Sequence, residues 1–349
     1  MNTQPQPLSR RRILFTGAAA GAGALLVGCT SNKHDEDPVA AAPVADTSGA
    51  PGKAITIGFS VPAADHGWMA AITSNAQGRA KQYKEVTFKA VEAGEDATAQ
   101  RAALETLIQS KPDVIIVLPH DGAQLTASGR KAMQAGIPVI NLDREFSDEL
   151  AFRVLIKGDN YGMGVAAGHF IGGRLKAAGK TSPVIAEIAG IDNLPLTQER
   201  SKGFKDTLAT YGFTVGHRAA AEFTIDSGQR VAANLLQAAP VLDALWNHDD
   251  DQGVGVLAAV GQAGRKEFFM VGGAGSRKAM EHIRDDDSVL KATVTYSPSM
   301  SASAVSLARL VANGRGMGDL AELGVPKEIR LASETITKEN VAGYLPLGF

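Results

Sequence analysis

The run Val114-Ile115-Ile116-Val117-Leu118 constrains the fold more than any other feature of the chain. An unbroken apolar run of strand length belongs to a strand covered on both faces, and such strands sit in parallel sheets clad by helices. Its surroundings follow the same logic. Strand-like runs at 55–60, 86–92 and 138–142 alternate with helical segments at 68–83, 97–110 and 123–135. A second series interleaves helices at 161–178, 197–211, 227–238, 252–263, 277–284 and 301–313 with strands or extended segments at 183–189, 213–223, 244–246, 268–271, 290–295 and 328–332. Repeated β-α alternation builds open parallel sheets with helices on both faces. The expected fold class is α/β, with two successive doubly wound parallel sheets.

The N-terminus reads as a targeting segment. Arg10, Arg11 and Arg12 precede an apolar stretch from Ile13 to Gly28 that is rich in Ala, Gly and Leu. A basic start, a short apolar core and small residues make a signal peptide. The apolar core is shorter than the roughly 20 residues that a spanning helix needs. The arginines resemble a twin-arginine export signal, with Sec export as the alternative. Leu26-Val27-Gly28-Cys29 resembles a lipobox. Residues 1–28 are therefore expected to be a signal peptide, removed by cleavage before a lipidated Cys29. Two or more acyl chains hold a protein to a bilayer, where one gives only marginal binding. Residues 29–53 read as a flexible tether, since they lack large apolar side chains that could offset the entropy of folding.

Cys29 is the single cysteine, which excludes an internal disulfide or a cysteine-based zinc site. The formal net charge is -2, and the signal segment carries three arginines and no other charge, so the remainder is more acidic still. A mildly acidic body argues against nucleic acid as a partner.

In open parallel sheets, ligands bind outside the carboxyl ends of the strands. After the first strand come Asp65, His66, Gly67 and Trp68, and after 138–142 come Asp143 and Arg144. Asp192, Asn193 and, further on, Arg200 follow 183–189. Phe223 ends its extended segment, Asn247 to Asp251 follow Trp246, and Tyr296 follows Thr295. Charged planar groups beside aromatic rings suit a sugar or polyol. Carboxylates and guanidinium groups pair with vicinal hydroxyls, while an aromatic face covers the C–H face of a sugar ring. Blander readings exist for each. Asp143-Arg144 also fits a local ion pair, Trp68 a core position and Arg200 an exposed helix face. Asp251 reads as a helix cap in a solvated turn. His120, His169, His217 and His282 fit no shared site.

Together these residues resemble the ribose-binding type of periplasmic sugar-binding proteins, the receptors of ABC importers. The markers are Ile137-Pro-Val-Ile-Asn-Leu-Asp143-Arg144, Gly158-Asp-Asn160, Glu199-Arg200-Ser-Lys-Gly-Phe204 and the acidic segment after Trp246. The similarity runs from Ile55 to about Leu331. It implies two lobes joined by three crossings, near Gly158, Ser297 and Pro326. Lobe 1 would then comprise 54–158 and 299–326, and lobe 2 would comprise 159–298 and 327–349. It also implies ligand contacts from His66, Trp68 and Met69, the last standing where ribose binders carry an aromatic ring. Asp143 and Arg144 would hold hydroxyls, Arg200 would be the binding arginine and Phe223 the second stacking ring. Asp249 stands where the family often has Asn, and Tyr296 where it often has Gln. One departure is Val271-Gly272-Gly273-Ala274, with Ala274 where a ligand-binding Asp is usual. A ligand other than ribose, or replacement contacts from Asp249 and Tyr296, would follow.

The implied function is binding, not catalysis. A membrane-tethered monomer would carry a small neutral sugar or polyol to an ABC permease, using no cofactor or metal. A sugar sensor for a membrane signalling partner is the alternative. An enzyme is disfavoured, because Asp249-Asp250 are adjacent on a loop and neither glycine run completes a nucleotide-binding fingerprint. A sugar-responsive repressor would need an N-terminal DNA-reading segment where this chain has an export signal.

Overall fold

The computed structural model describes residues 49–94, 96–318, 320 and 324–349. The expected signal peptide, Cys29 and most of the expected tether lie outside the described residues.

The first series runs β1 (Ile55–Val61), α1 (Gly67–Ala80), β2 (Val86–Glu92), α2 (Ala97–Gln109), β3 (Val114–Val117), α3 (Gly122–Gln134), β4 (Val139–Leu142) and β5 (Val154–Gly158). The second runs α4 (Asn160–Ala177), β6 (Ile185–Ala189), α5 (Pro195–Thr210), β7 (Val215–Ala220), α6 (Ile225–Ala238), β8 (Ala244–Asn247), α7 (Asp250–Gln262), β9 (Phe269–Ala274), α8 (Arg277–Asp285) and β10 (Leu290–Thr295). The chain then adds α9 (Met300–Ala312), β11 (Glu328–Leu331), β12 (Thr335–Thr337) and α10 (Val341–Tyr344).

Two six-stranded sheets result, in the orders β11-β5-β4-β3-β1-β2 and β12-β10-β9-β8-β6-β7. Within the first sheet the pairings are parallel, with Ile57 opposite Val114 and Ile140 opposite Val154. The second sheet is parallel except where β12 runs antiparallel to β10. The orders match strand for strand, so each sheet reverses direction at one place, between β1 and β3 or between β6 and β8. Ligands gather at such switch points.

Residues of β3 alternate between two cores. Val114 and Ile116 join one cluster and Ile115 and Val117 another, which is why the run has no polar face. Burying each such side chain contributes about 1.5–3 kcal/mol. The first cluster continues from Ile57 and Trp68 in lobe 1 through Tyr296 to Phe204 and Trp246 in lobe 2. Aspartate caps start several helices: Asp96, Asp121 and Asp159 accept from the N–H three residues on. The α4–α5 contact rests on glycine. A Cβ on Gly164 would stand 2.1 Å from the Arg200 carbonyl oxygen, and one on Gly203 would stand 2.1 Å from that of Tyr161. The helix backbones therefore touch, and Arg200 is held beside the start of α4.

Two strands have no counterpart in the sequence reading. Val154–Gly158 carries Lys157 in an otherwise apolar run, and Thr335–Thr337 is only three residues long. The third crossing also differs from the expected one. Glu328–Leu331 pairs with β5 in the first sheet, so the chain changes lobe between Leu331 and Thr335 rather than near Pro326. Sequence alone carries no marker of which edge such a short strand joins. The first two crossings run between Gly158 and Asn160 and between Thr295 and Met300, where β10 leaves the second sheet and α9 packs against α1.

Candidate ligand-binding site

His66, Trp68, Asp143 and Arg144 from lobe 1 meet Arg200, Phe223, Asp249 and Tyr296 around one pocket, with Leu196 and Ala274 completing its wall. His66 and Trp68 begin α1, and Asp143 and Arg144 follow β4. Arg200 lies on α5, Phe223 follows β7, Asp249 caps α7 and Tyr296 follows β10. Met69 is not among them. It shares a face of α1 with Ile72, Ala76 and Ala80, spaced as a helix buries one stripe, and it is 1% exposed within the core. The expectation that Met69 faces ligand is corrected on that ground.

The rings form a box. His66 and Trp68 lie near-parallel with centroids 6.5 Å apart, and Phe223 stands 6.4 Å from His66. Trp68 and Tyr296 are 5.8 Å apart. The Arg200 guanidinium lies 4.5 Å from the Tyr296 ring centroid and 5.9 Å from that of Phe223. Gly158 admits the Tyr296 ring, since a Cβ there would approach Cε2 to 2.1 Å.

A chain of hydrogen bonds links the lobes. Arg200 Nε donates to Asn160 Oδ1 at 2.9 Å, Asn160 Nδ2 donates to the Tyr296 hydroxyl at 3.2 Å, and that hydroxyl donates to Asp143. Trp68 Nε1 donates to the Tyr296 carbonyl oxygen at 2.8 Å. The backbone N–H of Trp68 donates to Asp251 Oδ2 at 2.8 Å. Asp251 thus caps α1 from the other lobe, a correction to its reading as a solvated cap of its own helix. The cap of α7 is Asp249, which accepts from Gln252 N at 3.0 Å. The space between these groups is only about 30 Å³, room for a water or two.

Buried polar groups support the second-lobe wall. Gln252 accepts from Phe223 N at 3.0 Å and donates to Asn247 Oδ1 at 2.6 Å. Beneath Arg200, Ser201 donates to Glu187, and His248 Nε2 lies 3.0 Å from the same carboxylate. The His248 carbonyl oxygen accepts from Arg200 Nη1 at 3.4 Å. Asp250 accepts from the N–H groups of Gly273, Gly275 and Ser276, which fixes the turn after β9. The sequence reading assigned no role to Asn160, although it belongs to the Gly158-Asp-Asn160 marker. Asp250 and the Glu187 cluster carry no sequence signal beyond polarity near a strand end.

Among the described residues, three of five non-glycine residues with positive φ line the pocket: Asp143 and Phe223 at 64° and Ala274 at 88°. Such conformations cost of order 1–3 kcal/mol each and gather where geometry matters more than stability. Arg144 Nη1 donates to the His120 carbonyl oxygen at 2.7 Å, while its buried Nε has no partner among the described residues. Leaving a buried donor unpaired costs about 1–3 kcal/mol, which a ligand oxygen would recover.

Burial pushes the Asp249 carboxyl up to about 6, with His66 nearby opposing the shift and Asp251 adding to it. Burial acts against a charged His66, but Asp65, Asp249 and Asp251 more than offset it and raise the imidazole above its usual range. Burial likewise pulls Arg144 down, against the attraction of Asp143 and Asp65. Burial and then Asp143 push the Tyr296 phenol upward, so it stays a donor. No group of three or more His, Cys, Asp or Glu among the described residues is arranged to hold a metal ion. None of the described helices is long and apolar enough to cross a membrane.

Comparison with known proteins places this geometry. A family profile described as periplasmic binding protein domain matches residues 57–316. The ribose import binding protein of Bacillus subtilis is 29% identical over 248 residues, spanning 71% of this chain and 78% of that protein. That of Escherichia coli is 32% identical over 203 residues, spanning 58% and 66%. Among solved structures, an ABC transporter solute binding protein from Bacillus halodurans with bound myo-inositol gives a TM-score of 0.75 at 22% identity, over 85% of this chain and 99% of that one. A Mycobacterium smegmatis protein in complex with β-D-fucofuranose gives 0.76 at 25% identity, over 84% and 94%.

Proposed function

This chain belongs to the periplasmic binding protein family, and we propose that it is the sugar receptor of an ABC importer, taking a neutral monosaccharide or polyol between its lobes for delivery to a permease. One observation carries the reading: two aromatic faces, Trp68 and Phe223, share a pocket with Asp143 from one lobe and Arg200 and Asp249 from the other. The rings would cover the apolar face of a sugar, while the charged groups satisfy its hydroxyl edge. Contacts to both lobes make the closed form the bound form, and ligand shifts the population by that preference. The chemistry required is binding, and no step calls for a nucleophile, metal or cofactor. Relatives named for ribose import support the sugar class. Ala274, an apolar wall residue, supports a ligand that does not present ribose's full set of donors there.

The expected lipid on Cys29 would hold this receptor, as a monomer, near its permease. Metabolic labelling with a palmitate analogue tests it: label lost in Cys29→Ser supports the anchor, and label retained rejects it. A thermal-shift panel of pentoses, hexoses and alditols tests the ligand class. A rise in Tm with at least one neutral member is expected. A flat response across the panel would reject the sugar reading.

A further inference from the structure

Beyond the aromatic box the interface between the lobes holds a second chamber, of about 140 Å³ against about 30 Å³ for the box. The two share Asp143, Arg144 and Leu196 as a common wall. Lobe 1 contributes Asp121, Glu145 and Lys157 to the chamber, and lobe 2 contributes Asn193 and Glu199. A ligand reaching into it would therefore also touch both lobes.

The charges within the chamber are unequally matched. Lys157, which is buried, pairs with Glu145 at 2.7 Å. Asp143 stands beside Arg144, whose buried Nε faces no partner among the described residues. Asp121 and Glu199 face the space from opposite lobes; Arg144 attracts Asp121 as well as Asp143, but the lining still carries four carboxylates (Asp121, Asp143, Glu145 and Glu199) against two cations (Arg144 and Lys157). Asp121 spends one oxygen capping α3 through Gln124 N. Two carboxylates with acceptor sites to spare call for hydrogen-bond donors, and they repel an anion.

We infer that the ligand is larger than a bare sugar ring and carries a neutral, hydroxylated side arm, such as a short polyol aglycone, that occupies this chamber. Its hydroxyls would donate to Glu199 and Asp121, and an oxygen near the ring would accept from Arg144. The excess of carboxylates over cations in the lining disfavours a phosphate or carboxylate arm. This inference rests on the sugar-receptor reading and adds the ligand's extent and charge to it.

Calorimetry on the purified protein tests it with matched probes: free hexoses, their methyl glycosides, their glyceryl glycosides and the corresponding hexose 6-phosphates. For at least one sugar, the glyceryl glycoside is expected to bind about tenfold or more tightly than the methyl glycoside, as one or two additional hydrogen bonds to charged groups allow. Asn193→Trp, at an exposed position lining the chamber, should fill it and abolish that preference while leaving the methyl glycoside's affinity unchanged. Glu199→Gln, which removes one acceptor charge, should reduce the preference without filling space. Equal affinities for methyl and glyceryl glycosides, unaffected by Asn193→Trp, would overturn the inference and leave the sugar reading standing. Tightest binding of a 6-phosphate would overturn the charge argument. Absence of binding by every probe would reject the sugar reading and this inference with it.

Discussion

On the second-lobe wall, Arg200, Phe223 and Asp249 take their hydrogen-bond partners from their own lobe: Asn160 and His248 for Arg200, and Gln252 for the other two. On the first-lobe wall, the Trp68 N–H and indole and the Asp143 carboxylate take theirs across the cleft or at the crossing, from Asp251 and Tyr296, while the Asp143 N–H donates to Ile156 in its own lobe. Arg144 has one anchor within its lobe and, among the described residues, no partner for its Nε. One wall is thus built before the lobes meet, and the other is completed by their meeting. In the proposed receptor, the preformed wall would hold its charges where a ligand needs them, leaving less ordering to be done on binding. The other wall would couple recognition to closure, because the Trp68 N–H is held by Asp251 of the other lobe and the Asp143 carboxylate by Tyr296 at the crossing.

The difference is sharpest at Arg200. Arg200→Ala should weaken sugar binding by about 100-fold or more, as removal of one partner of a buried charged hydrogen bond typically does. Arg144→Ala, on the wall completed by closure, should cost less. The reverse ranking in calorimetry would break the comparison.

Preforming the second wall carries a stability cost that shows in pH. Asp249, near 6 when folded against about 3.9 when unfolded, binds more protons in the folded state between those values. Its contribution to stability is whole below that window and falls as pH rises through it, by on the order of 3 kcal/mol for the group alone. The raised His66 adds a loss of the same sign, above its own unfolded value. Thermal melts from pH 4.5 to 7 should show the difference between Asp249→Asn and wild type growing in the variant's favour. A constant difference would mean that Asp249 keeps an ordinary acidity.

Closure itself is probed by Asp251→Ala. The variant loses one interlobe hydrogen bond, worth about 0.5–1.5 kcal/mol, and should bind its sugar roughly 2- to 12-fold more weakly. X-ray scattering should give its ligand-free form a larger radius of gyration than wild type, with the two converging when sugar is bound. Identical ligand-free radii would show that Asp251 is no latch. The smallest effect is expected at Met69, where Met69→Leu should leave affinity within about twofold and cost less than about 1.5 kcal/mol of stability. A large affinity loss there would place Met69 against the ligand after all.

The sequence made the sheets legible where burial is two-sided, as in Val114–Val117, because no polar residue interrupts the pattern. It failed at the lobe boundaries. Val154–Gly158 has Lys157 inside it, a residue tolerated there by its pairing with Glu145. Thr335–Thr337 is too short for any periodicity, and the edge joined by Glu328–Leu331 depends on long-range pairing alone. At the site, residues directly after strands were found by that position. Asp251 and Met69 were misread for opposite reasons. The partner of Asp251 lies 183 residues away, so its local sequence suggests a cap of its own helix. Met69 directly follows the cleft residue Trp68, but helical rotation by about 100° per residue turns it to the core. The buried layer beneath Arg200 was invisible because Glu187 lies within a strand whose pairing with Ser201 and His248 only the fold creates.

Calorimetric titration with the tightest-binding neutral sugar, comparing wild type with Asp143→Ala and Arg200→Ala, tests the central claim most directly, because it removes one polar contact from each wall. Micromolar or tighter binding by wild type is predicted, with a strong loss in both variants while their melts remain cooperative. Wild-type affinity in both variants would contradict a ligand held between the two walls.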